Sequence, residues 1–202
     1  MRLIPFFHKT HPLSNWYEAP MFDPVSGVTF PTVEYWMMWH KAQLFTVPSN
    51  QKSSLFASRI TTRNYEIMTQ ILKAKDSGEV KALGRKVEGY QDSIWHAHRK
   101  DIVKKGCYLK LGFCDEALYF LLSLDPKNDR LCEASKYDRD WGVGFEQSDP
   151  RINDLSLWGL NLLGDIWQEI MIELHTTPAH ELRLPSHVVE KIVEHTARYS
   201  RG

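Results

Sequence analysis

The stretch Phe30–Phe45, "FPTVEYWMMWHKAQLF", sets two tryptophans and two methionines beside a glutamate and a lysine. Thr32 stands in capping position for a helix that begins near Val33, and Pro48 disfavours helix at Val47, so one helix is expected between them. The question it raises is why a core helix carries Glu34 and Lys41. Glu34 falls in the first turn, where free backbone amides and the helix dipole favour an ionised carboxylate. Lys41 is two turns on, on the same face and about 10 Å further along the axis, beyond the reach of an i, i+4 ion pair. The two can grip opposite sides of a bound molecule. Trp36, Met37, Met38 and Trp39 surround Lys41 in sequence, and an ammonium desolvated among such groups becomes a usable nucleophile. The alternative is that both side chains simply point to solvent from a half-buried helix.

Outward from this helix, "RLIPFF" and "APMFDPVSGVTF" are expected to form short strands, the latter a pair turned at Pro24 and Gly27. Helical patterns follow at about 61–74, 91–105 and 115–124. In the second, Trp95, His98, Ile102 and Lys105 share a stripe, Asp92 is the expected cap, and Gly106 fits the position just past the end. "RLCEAS" is expected as one short strand. The polar, glycine-bearing "SKYDRDWGVGFEQSDPRIND" is expected as a loop, and a loop of that length in a compact domain is usually functional. A helix over "WGLNLLGDIWQEIMIEL" and a last amphipathic one over "SHVVEKIVEHTARY" complete the chain. The fold class is therefore α+β and mainly α-helical, in one compact domain with a few short strands.

With 202 residues and 43% hydrophobic content, the chain can bury a core. Lys+Arg and Asp+Glu both number 25, so bulk charge points to neither nucleic acid nor an anionic membrane. Cys107, Cys114 and Cys132 form no C-x-x-C pair and fit reduced thiols. No apolar run reaches the length of a membrane span and no cleavable leader pattern opens the chain, so a soluble, cytoplasmic protein is expected.

Chemistry-bearing residues gather in two further places. "DRDWGVGF" offers Asp138, Asp140, Trp141, Gly142 and Gly144: glycines admit backbone amides to a ligand, an indole stacks, and an aspartate binds a hydroxyl or orients water. A tight turn stapled by a buried tryptophan is the competing account. "WGLNLLG" puts Asn161 near a helix start, where it either contacts phosphate or ribose or caps locally. Neither "HKTH" nor "HAH" brings a partner at helical ligand spacing, so no metal is expected. The dinucleotide, P-loop and nucleophile-elbow motifs are absent, and no cofactor is expected.

Taken in order, "LSNWY", "FPTVEYWMMWHKAQLF", "ALGRKV", the Trp and Arg of "WHAHRKDIV", "LCEASKYDRDWGVGF" and "WGLNLLG" resemble the YbiA-like NADAR family over roughly residues 4–175. Tyr35 and Met38 depart from the histidine and glutamine common there. Residues 176–202 lie outside the likeness and are expected to form a helical extension packed on a 1–175 domain. The resemblance implies an N-glycosidase in the sphere of NAD and ADP-ribose metabolism, with Glu34 as active-site acid, Lys41 as its lysine and Asp140 as its loop aspartate. It implies ribose on an exocyclic amine as substrate, either ribosylamino-pyrimidine phosphates of riboflavin synthesis or ADP-ribose on guanine of nucleic acid. A glycosylamine ring-opens to an imine, so Lys41 acts either as a Schiff-base nucleophile or as a clamp beside direct water attack. On this footing Trp16, Trp95 and Trp141 are candidates to wall in the base, and Asn15, Arg85, Arg99 and Asn161 to hold ribose and phosphate. A module that reads ADP-ribose without turnover is the rival, and it needs none of the Glu34, Lys41 and Asp140 chemistry. Zero net charge favours the small metabolite over nucleic acid.

Overall fold

The computed structural model describes residues 1–46 and 55–199. The helix expected at the opening stretch is α1, Val33–Leu44, and it is enclosed on nearly every side. Helices α2 (Leu55–Lys73), α3 (Ser77–Gly84) and α4 (Asp92–Leu111) surround it. Thr32 occupies the N-cap position, but its hydroxyl pairs with Ser77 Oγ at 3.2 Å and does not cap. The ending assigned to Pro48 lies outside the described residues.

Two contacts show how α1 is held. The Trp36 indole donates to the Ile102 carbonyl at 2.7 Å and lies against Gly106, where an added Cβ would come within 2.6 Å of the ring. Gly106 is therefore interior to α4, not past its end as its sequence suggested: the bare backbone admits the indole, and the helix runs on to Leu111. Tyr35 donates to Ala74 O at 2.9 Å, tying α1 to the segment before α3.

Strand β1 (Arg2–Phe6) pairs in parallel with β4 (Asp129–Glu133), and β2 (Met21–Asp23) pairs antiparallel with β3 (Val28–Phe30). Helix α5 (Asp115–Leu122) precedes β4, and α6 (Leu162–Thr176) packs across β4 and α4. Gln168 of α6 reaches the β4 backbone at both Leu131 N and Asp129 O. One core joins these layers, with Trp167, Phe6, Phe30 and Ile67 among its fully buried side chains. Helix α7 (Ser186–Tyr199) adds Val188 and Ile192 to that core, and its Lys191 pairs with Asp115 of α5 at 2.5 Å. Cys107, Cys114 and Cys132 are buried free thiols. Among the described residues, no helix is long and apolar enough to cross a membrane.

Candidate active site

The α1 N-terminus, the segment between β1 and β2 that carries Asn15 and Trp16, α3, the end of β4 and the loop after it enclose a cleft of about 340 Å³. Its walls include Asn15, Trp16, Glu34, Asp140 and Trp141, all singled out by sequence, and Lys81, Glu133, Asp138 and Arg139, of which only Asp138 had drawn notice. Three buried oxygens, Asn15 Oδ1, Glu34 Oε1 and Glu133 Oε2, belong to these lining residues and have no hydrogen-bond partner in the protein. Buried polar atoms are seldom left so, because each forfeits its water without replacement. Three around one cleft mark a place built to receive hydrogen-bond donors.

Glu34 is only 3% exposed, so it does not face open solvent. Burial drives its pKa up to about 7, with Lys81 and the Trp16 side chain pulling it down, Asp138 adding to the rise and Lys41 acting least. The first-turn position therefore does not keep it a plain anion, burial being the largest influence on it. Its amide donates to Asn15 O at 2.9 Å, which locks the 13–16 loop to the start of α1. That loop is clamped from behind by two buried donors, Trp167 Nε1 to Leu13 O at 2.7 Å and Lys110 Nζ to Ser14 O at 3.0 Å.

Lys41 is set apart from this cleft. Its ammonium lies 4.5 Å from the Tyr90 ring centroid and 5.5 Å from that of Trp95. Burial, then the nearby Arg85 charge, lower its pKa, while Asp92 and Glu34 oppose the shift. Arg99, itself buried, links this cluster to the cleft: it donates to Asp140 Oδ2 at 2.7 Å and lies 5.9 Å from the Trp141 ring. Glu34 and Asp140 thus line one cleft, while Lys41 stands outside it among Tyr90 and Trp95.

Two candidates have other duties. Asn161 spends its amide on β4, accepting from Glu133 N at 3.0 Å and donating to Leu131 O at 3.1 Å. With both ends committed and the residue 1% exposed, it joins β4 to α6, at whose N-terminus it stands. Gly142 gives up its side chain to closeness with the strand, since a Cβ there would stand 2.8 Å from Glu133 O. Among the described residues, no group of three or more His, Cys, Asp or Glu is placed to hold a metal.

The NADAR domain family model matches residues 6–175. The chain is 29% identical over 167 residues to N-glycosidase R617 of Acanthamoeba polyphaga mimivirus, covering 81% of this chain and 87% of that one. Protein irg-1 of Caenorhabditis elegans is 27% identical over 139 residues, covering 67% of this chain and 65% of the worm protein. The solution structure of Escherichia coli YbiA superposes with a TM-score of 0.54 at 17% identity, over 89% of this chain and 91% of that one, which shows a shared fold. A family match spanning nearly the whole chain, with the cleft inside the matched segment, establishes that the protein belongs to the NADAR domain family.

Proposed function

We propose that the protein is an N-glycosidase that separates a phosphorylated ribose from an exocyclic amine on a base-like heterocycle. The observation that carries this is the set of three buried, unpartnered oxygens on Asn15, Glu34 and Glu133. Such a floor accepts N–H and O–H groups, which an amino-heterocycle and a ribose diol both present. The name of the mimivirus relative supports the reaction class.

In this reading Glu34, whose proton affinity is poised near neutrality, exchanges protons at the scissile centre. Asp140, oriented by Arg99, binds a sugar hydroxyl or the attacking water. Trp16 and Trp141 flank the base, and Arg85 and Arg99 supply positive charge toward phosphate. Lys41, its pKa lowered, either exchanges into the ring-opened imine or clamps the sugar.

A second reading, ADP-ribose on guanine of nucleic acid, draws on a groove of about 740 Å³ that shares Trp16 with the cleft and carries His8, Lys9 and Lys75. Incubating the purified protein with ribosylamino-pyrimidine phosphate and with ADP-ribosylated guanine DNA, with free sugar followed by mass spectrometry, tests both. Release from either supports N-glycosidase action and identifies the substrate; binding without release from both would leave a reader module instead.

A further inference from the structure

Glu133 ends β4, and its backbone is fully occupied. The N–H donates to Asn161 Oδ1 at 3.0 Å, and the carbonyl accepts from Ser135 N and Val143 N, each at 2.9 Å. Its side chain takes no part in these bonds. The carboxyl lines the cleft with Oε2 buried and unpartnered. A fold that keeps a dehydrated carboxyl oxygen at a cleft wall, at a cost in stability, has it in reach of a ligand. Around the same cleft stand Glu34 from α1, Lys81 from α3, and Tyr137, Asp138, Arg139 and Asp140 from the following loop.

We propose that Glu133 is a catalytic carboxyl of this site, which enters each turnover protonated and gives that proton to the departing amine while Glu34 takes one from the attacking water. The assignment rests on the N-glycosidase reading and adds a residue to it. Burial first, then the charges of Asp138 and Glu34, push the Glu133 carboxyl up to about 8, with Lys81 alone opposing. Glu34 receives more relief, from Lys81, Trp16 and Lys41, and is pushed less far. Two buried carboxyls lining one cleft are the arrangement that paired acid and base roles require, and dependence on the leaving amine reads which of them is the acid.

The step balances. The C1′–N bond breaks with its electron pair going to nitrogen, which collects the Glu133 proton. A C1′–O bond forms to water, whose proton goes to Glu34. Turnover leaves Glu133 ionised and Glu34 protonated, and one proton passed back across the cleft restores the starting pair. In a route through Lys41 the same amine leaves at imine exchange and draws the same proton.

The test compares two 5-phosphoribosyl glycosylamines, of aniline and of 4-nitroaniline, in the parent and in Glu133→Gln. Loss of a general acid is expected to lower kcat on the aniline compound by about 100-fold or more. The loss should shrink several-fold on the nitroaniline compound, whose nitrogen departs with less need of a proton. The alkaline limb of the parent pH profile should also vanish in the variant. An equal loss on both amines, or no loss, overturns the assignment and leaves Glu133 at most a positioning residue. A parent inactive on every glycosylamine overturns the N-glycosidase reading, and the assignment with it. If Glu133→Gln does not fold, Glu133→Asp, which shortens the acid by one methylene, serves for the same comparison.

Discussion

The guanidinium of Arg99 holds Asp140 by a 2.7 Å hydrogen bond, an ion pair that ties α4 to the loop lining the Glu34 cleft. Asp140→Asn keeps the shape and removes the charge that Arg99 grips. Turnover is expected to fall by about 10-fold or more with a smaller change in substrate affinity, because the interaction strengthens as charge develops at the sugar. Steady-state kinetics check this, and a change confined to KM would make Asp140 a hydroxyl ligand only.

Glu34→Gln should abolish most turnover and yet stabilise the fold above neutral pH. The folded carboxyl is raised from 4.5 to about 7, so its contribution to stability is full below pH 4.5 and is lost as pH rises through 7. Glutamine never ionises and escapes that loss, which amounts to roughly 3 kcal/mol. Melting at pH 8.5 is therefore expected several degrees above the parent, with the gap closing toward pH 4.5. A gap independent of pH would mean that Glu34 titrates normally.

Borohydride added during turnover should trap a sugar adduct on Lys41 if the amine exchanges into the imine. Lys41→Arg retains charge but cannot form that bond. An active Lys41→Arg with no adduct in the parent would exclude the covalent route and leave the side chain as an electrostatic clamp.

Asn161→Ala tests the joint behind the cleft. It strands Glu133 N and removes a donor from Leu131 O, and each buried group left unpaired costs about 1–3 kcal/mol. Asn161 also sits at φ 50°, a left-handed conformation that asparagine tolerates better than alanine. Denaturant unfolding should show a loss of about 2–6 kcal/mol. A loss below about 0.5 kcal/mol would show that other contacts hold β4 to α6.

Sequence made α1, the β2–β3 pair, β4 and α6 legible because their turn residues and apolar runs act locally. It also brought Glu34, Asn15, Trp16, Asp140 and Trp141 to attention, largely through collinear motifs. Lys81 escaped notice because α3 was not expected, although "DSGE" at 76–79 is a capping signal: Asp76 accepts from Glu79 N at 2.8 Å and Glu79 from Lys75 N at 2.8 Å. Glu133 lay inside a quoted motif, but an acidic residue at a strand end carries no local mark of its burial. That burial comes from the α1 and loop residues packed around it, which only tertiary structure assembles. Gly106 was misread because local rules place glycine after helices, whereas here an indole decides; Asn161 does stand at the start of α6 as its sequence suggested, but its amide is spent on the β4 backbone.

The parallel pairing of β1 with β4 has a kinetic corollary. Arg2 and Asp129 meet across 127 positions of chain, and closing so long a loop must precede any return from the strand pair. The helices around α1 need no such closure. In refolding, helical signal is thus expected to appear ahead of enzymatic competence, because the strand that presents Glu133 is among the last parts to find its neighbour.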